Sequence, residues 1–280
     1  MIDRREAIAG GVAQLLPRAT AASVTPLRLV GDRIYIDAVV NGVATEALLD
    51  SGAEMTVLDR RFARRLRLGG GTAATARGTG VATAAATLVT GVTVDVAGLA
   101  LRSPTVAVID LGDISKRLAH RRIDAIVGRD LFDASRLAID LGAGTLAVIG
   151  RRREPAGERL NLTGRRGIET IPVTVEGLAV AADFDLGNGG RVLLGGELAA
   201  RLLRDGRATA TVGGGGIGGE TLQRTLTLRD LVVAGQRFTN VPAAVDAGPT
   251  AAPANIGVRI LRNFGIVTDF AQRVVWLRAR

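Results

Sequence analysis

The sequence predicts an all-β protein, β-rich with short helices, folded as two similar lobes related by an internal duplication with pseudo-two-fold symmetry. Three observations predict it. Hydrophobic residues make up 47% of the 280 residues but aromatics only 3%, so the core has to be assembled from Val, Leu, Ile and Ala. That palette suits pleated, half-buried surfaces, and 37 glycines supply the tight turns that many short strands need. The third observation is that a stretch of the first half recurs 135 residues further on.

The chain opens with Met1-Ile2-Asp3-Arg4-Arg5-Glu6, an apolar run from Ala7 to Leu16, then Pro17-Arg18 and Ala19-Thr20-Ala21. A charged start, a short apolar stretch and a small-residue exit predict an export signal over 1–21, and the paired Arg4-Arg5 gives it a twin-arginine character. A periplasmic or secreted mature protein is expected. The apolar run is shorter than the roughly 20 residues that cross a bilayer, so stable membrane insertion is not expected.

The first copy of the repeat runs from Ile36 through Asn41-Gly42 to Ala47-Leu48-Leu49-Asp50-Ser51-Gly52-Ala53 and Val57-Leu58. The second runs from Ile171 through Glu176-Gly177 to Ala182-Asp183-Phe184-Asp185-Leu186-Gly187-Asn188 and Val192-Leu193. Each reads as an alternating strand, a tight turn, a second strand ending in Asp, and a glycine turn, with a short helix after it at 60–66 and at 197–203. The ends match too: Ile126-Val127-Gly128 lies 129 residues before Asn255-Ile256-Gly257, and Leu137 to Leu141 corresponds to Ile266 to Phe270. Between start and end, each copy carries a Gly-rich segment, Arg77-Gly78-Thr79-Gly80 and Gly213 to Gly219, followed by paired strands. The organisation predicted is a lobe over 22–150, a polar linker over 151–167 and a second lobe over 168–280.

Composition narrows the chemistry. With no Cys, thiol nucleophiles, disulfides and thiolate zinc sites are excluded, and the single His120 cannot build a multi-histidine metal site. A Ser-His-Asp triad would have to use His120, and no Gly-x-Ser-x-Gly elbow accompanies it. An enzyme made from this sequence would therefore most naturally work with carboxylates, and no metal or cofactor is expected. The net charge of +9 is carried by arginines spread along the chain with few aromatics among them, so no nucleic-acid partner is expected. A glycosidase would want aromatic sugar platforms, and Trp276 is the only Trp.

A strand ending in Asp-Ser-Gly-Ala places a carboxylate at the tip of a turn braced on both sides. Alone this is an Asx-type turn. Two copies at the same point of a duplicated hairpin supply two carboxylates about an approximate two-fold axis, Asp50 and Asp185. Together with Ile126-Val127-Gly128 late in the lobe, this resembles the retropepsin and pepsin families of aspartic peptidases. The resemblance implies a two-lobed acid-protease fold with Asp50 and Asp185 as the catalytic pair. Ser51, Gly52 and Gly187 would support the loops, and Ile126, Val127 and Gly128 would buttress them from below. Gly78, Thr79 and Gly80, with Gly213 to Gly219, would stand in the place of flaps over a peptide or protein substrate. A monomer is implied, since one chain carries both aspartates.

The second lobe departs from that pattern. Leu186 stands where the family has Ser or Thr, Asn188 replaces a small residue, and Asn255 weakens the apolar pair before Gly257. A looser hold on Asp185 is expected, and a catalytically weak or inactive peptide-binding relative is the alternative. Asp183, two residues earlier, leaves a shifted alignment open. No flap tyrosine is present, the only Tyr being Tyr35 in the first predicted strand.

Overall fold

The computed structural model describes residues 24–80, 82–101, 105–164, 167–204, 206–207, 209–249 and 251–280. The export segment predicted over 1–21 lies outside them. The fold is all-β and two-lobed, with one sheet of 15 strands and one of 7. Among the described residues no helix is long and apolar enough to cross a membrane.

The two lobes share a hairpin with the same hydrogen-bond register. In lobe one, Arg33–Val40 turns through Asn41 (φ 46°) and Gly42 (φ 78°) into Val43–Leu49. In lobe two, Thr170–Val175 turns through Glu176 (φ 46°) and Gly177 (φ 80°) into Leu178–Phe184. Two successive positive φ values are what a two-residue hairpin turn with the right twist demands. Glu176 tolerates this conformation with its carboxylate held by the Arg229 N–H at 2.8 Å and by the Arg207 guanidinium. The helices Arg60–Arg65 and Gly196–Leu203 follow at equivalent points, within a residue of expectation.

The lobes meet through a shared antiparallel pair, Leu137–Asp140 against Phe264–Asp269. Ala138 faces Val267, and these two positions are also the ones matched by the 129-residue repeat. The Leu137–Thr268 pair maps onto Ile139–Ile266 under the same exchange, so the pseudo-dyad passes between Ala138 and Val267. Outward on each side lie Thr145–Val148 and Val274–Ala279, then Val24–Val30 and Glu158–Asn161.

That last strand corrects one expectation. The polar segment 151–167 is not a linker throughout, because Glu158–Asn161 pairs with Val274–Ala279 as Val24–Val30 pairs with Thr145–Val148. Of its four residues only Leu160 is buried, so an edge strand with one apolar side chain left no alternating pattern to read. The lobes also differ in one respect. Lobe one uses Ala84–Val89 and Val94–Val96 where lobe two runs a single 15-residue strand, Gly219–Val233.

An ionic cluster ties the lobes below the central pair. Glu169, 0% exposed, accepts from Arg129 Nη2 at 2.8 Å and from Arg273 at 3.3 and 3.1 Å. Arg129 directly follows Gly128, so the cluster braces the buttress of lobe one from lobe two. Glu169→Gln should destabilise the protein by about 2–3 kcal/mol in chemical denaturation. That is below the roughly 3–5 kcal/mol for breaking a fully buried pair, because Arg129 and Arg273 reach solvent. A loss under about 0.5 kcal/mol would show that the cluster does not couple the lobes.

Candidate active site

Each lobe presents its aspartate in the same way. The Asp50 N–H donates to Val127 O at 3.0 Å, and the Asp185 N–H donates to Ile256 O at 3.1 Å. Ala125–Val127 runs parallel to Val43–Leu49 and antiparallel to Val57–Asp59, threading the loop between them. Ala254–Ile256 does the same between Leu178–Phe184 and Val192–Gly195. Gly128 then passes so close under the first loop that a Cβ would lie 2.5 Å from Met55 O, and Gly257 passes closer still to Asn188 O. Only glycine fits at either point. The strand that carries Ile126 and Val127 thus runs against the Asp50 loop, with Gly128 following it. Asp185 sits at the turn, while Asp183 remains in the strand opposite Thr170.

The two loops meet face to face. A Cβ on Gly52 would lie 2.8 Å from Asp185 Oδ1, and a Cβ on Gly187 would fall inside contact distance of the Asp50 carboxyl group. Each glycine therefore leaves room for the opposite lobe's carboxylate. Ser51 is buried and crosses the dyad, its Oγ donating to Phe184 O at 2.7 Å and accepting the Leu186 N–H at 2.9 Å. Leu186 is buried and returns no side-chain bond, so the brace runs from lobe one only.

The expected looseness at Asp185 is not what the geometry gives. Its Oδ1 accepts the N–H groups of Gly187 at 2.9 Å and Asn188 at 3.1 Å, and its Oδ2 accepts Asn255 Nδ2 at 2.8 Å. Asp50 Oδ1 accepts the Gly52 N–H at 2.8 Å. Burial, then the negative charge of Asp185, pushes Asp50 up to about 7. Two acids this close share one proton.

Arg33 was not singled out in the sequence. Its Nη1 donates to Gly187 O at 2.9 Å and its Nε to Leu118 O at 3.1 Å, so a lobe-one side chain grips the lobe-two loop beside the brace. Burial lowers its pKa, and Tyr35, Asp50 and Asp185 act against that shift. A guanidinium stays charged regardless, and it supports one negative charge on the pair. No motif points to Arg33; only the fold brings it there. Tyr35 is buried on the same strand, with Arg121 over its ring at 4.5 Å.

The flap candidates touch one another. Gly80 N–H donates to Ile217 O at 3.1 Å and Ala82 N–H to Gly218 O at 3.0 Å, joining the tip of the first Gly-rich segment to that of the second. Gly78 lies against Ile217 and Thr79 against Gly216. The second tip is also held from lobe one, since Arg117 donates to Gly214 O at 3.0 Å and Gly216 O at 3.3 Å while paired with Asp113.

Two aspartates apposed about a pseudo-dyad and braced by a serine, in an all-β two-lobed chain whose Gly-rich hairpin tips are joined to each other, define the class as an acid-protease fold. A family model described as Aspartyl protease matches residues 36–131, the stretch holding both the Asp50 loop and its Ile126-Val127-Gly128 buttress. The match supports an aspartic protease family and aspartic peptidase function in general. No curated protein matches the chain.

Proposed function

We propose that the chain is an aspartic-type endopeptidase, with water activated between Asp50 and Asp185. The observation that carries this reading is the mutual fit of Gly52 to the Asp185 carboxylate and of Gly187 to that of Asp50. Of the pair, the ionised member removes a proton from water as its oxygen attacks the scissile carbonyl carbon. The protonated member donates to the carbonyl oxygen, and collapse of the tetrahedral adduct breaks the C–N bond with a proton delivered to nitrogen. No cofactor enters this scheme. The flap-to-flap bonds Gly80–Ile217 and Ala82–Gly218 have to open to admit substrate, and the backbone groups they release suit an extended peptide.

One chain supplies both aspartates, so a self-sufficient monomer is part of the proposal, as is export on the signal read at 1–21. A second reading, peptide binding with weak or no cleavage, is favoured by one observation, the apolar Leu186 on the returning side of the brace. A peptide library assayed between about pH 3 and pH 8, with and without an active-site-directed aspartic protease inhibitor, separates the two. Inhibitor-sensitive cleavage at acidic pH supports the peptidase. Library binding without cleavage at any pH supports the second reading.

A further inference from the structure

The two halves of the site differ beneath the loops. Lobe one has the buried, apolar Ile126 in its threading strand, whereas the repeat-equivalent position of lobe two holds Asn255, 8% exposed. The orientation of the Asn255 amide is dictated by main-chain chemistry. The Gly190 N–H, which can only donate, points to Asn188 Oδ1 at 2.7 Å. The other end of Asn188 is therefore its NH2, which donates to Arg191 O at 3.1 Å and to Asn255 Oδ1 at 2.7 Å. Asn255 accepts on its oxygen and so presents an N–H to Asp185 Oδ2 at 2.8 Å.

Asp185 thus receives three N–H donors across both oxygens, counting those of Gly187 and Asn188, and such donors favour the ionised form of a carboxyl group. Ile126 offers Asp50 none. We propose that Asn255, oriented by Asn188, is a positioning residue that keeps Asp185 as the carboxylate, so that the proton shared by the pair rests on Asp50. The catalytic consequence rests on the peptidase reading: Asp185 takes the proton from water, and Asp50 gives its proton to the carbonyl oxygen.

The other charged groups near Asp185 do not make this choice. Asp50 faces it across the dyad, and Arg33 acts on both carboxylates, with Arg117 acting on Arg33 in turn. Asp183 lies two residues earlier, in the strand that ends at Phe184.

The test is a carboxyl-carbon NMR titration of full-length protein labelled at aspartate, without substrate, beside the pH dependence of kcat/KM. Asn255→Leu, which removes the donor at similar volume, should raise the lower apparent pKa of the pair by about one unit, a tenfold change in that proton-binding constant. The acid limb of kcat/KM should move with it. Asn188→Ala, at a half-buried position, should shift both the same way by less and covers the case in which Leu at 255 impairs folding. Asn255→Ser, which keeps a donor, should restore part of the difference. A lower apparent pKa unmoved in both donor-disrupting variants overturns the inference even if hydrolysis is robust. The NMR shift in a protein without hydrolysis upholds the proton placement while the peptidase reading falls.

Discussion

Asp50→Asn should abolish peptide hydrolysis and at the same time make the protein more stable at neutral pH. Asn fills the same space and still accepts the Gly52 N–H, but it neither carries the shared proton nor delivers it. General acid–base groups contribute on the order of 10²–10⁴-fold, so residual activity above about one hundredth would remove Asp50 from the chemistry. The stability gain follows from linkage. Folded Asp50 keeps its proton up to about 7, whereas an unfolded aspartate releases it near 3.8. Between those values the native state binds more protons than the unfolded state, so wild-type stability falls as pH rises through that window. Below it both states are protonated and the penalty vanishes. The variant should therefore gain on the order of 2–4 kcal/mol over wild type at about pH 8 and almost nothing at about pH 3.5. Paired denaturation curves at the two pH values measure this, and equal differences at both would mean that Asp50 is not held protonated by the fold. Asp185→Asn should be equally inactive, and mixing the two inactive proteins should restore nothing, because both carboxylates belong to one chain. Activity returning in the mixture would place the site between two chains.

How much of this was legible depended on whether a residue's role was local or carried by the fold. The strands, the Asn41-Gly42 and Glu176-Gly177 turns and the aspartate loops were readable because turn chemistry and alternation act within a few residues, and because the repeat stated each of them twice. Ser51 was read as a brace only through the family resemblance, since its partners lie 133 and 135 residues away and Leu186 replaces it in the second copy. Arg33 was not, since nothing around it marks a side chain that reaches Gly187 O, 154 residues away. Asn188 and Asn255 were visible only as departures from a pattern. Their meaning needed the threading strand that brings them within 2.7 Å of each other across 67 residues. Two polar residues that look like decay in sequence form the most fully satisfied carboxylate environment of the site. Glu158–Asn161 was missed because an edge strand with one buried residue carries almost no periodic signal.

Gly187→Ala sets its new methyl directly against the opposite aspartate, and should cost at least a hundredfold in hydrolysis and about 1–3 kcal/mol in stability. The backbone at Gly187 is not in the left-handed region, so an L-residue is conformationally acceptable there and the obstacle is space alone. The new methyl would sit inside contact distance of the Asp50 carboxyl carbon and both its oxygens. Asp50 cannot swing aside without surrendering the Gly52 N–H at 2.8 Å. Withdrawal of the 187 loop would break the Arg33 bond to Gly187 O at 2.9 Å and stretch the Ser51 bonds of 2.7 and 2.9 Å. The carboxylates must therefore be forced apart, and a displacement of about 1 Å at reacting groups is enough for a hundredfold loss. Gly52→Ala meets Asp185 less closely, at 2.8 Å, and should be the milder of the two. Gly196→Ala, with open space at its Cβ in a helix, serves as the neutral control. Steady-state kinetics and thermal unfolding of the three variants give the order. Gly187→Ala retaining more than about a tenth of wild-type activity would show that the two loops do not approach as closely as this site requires.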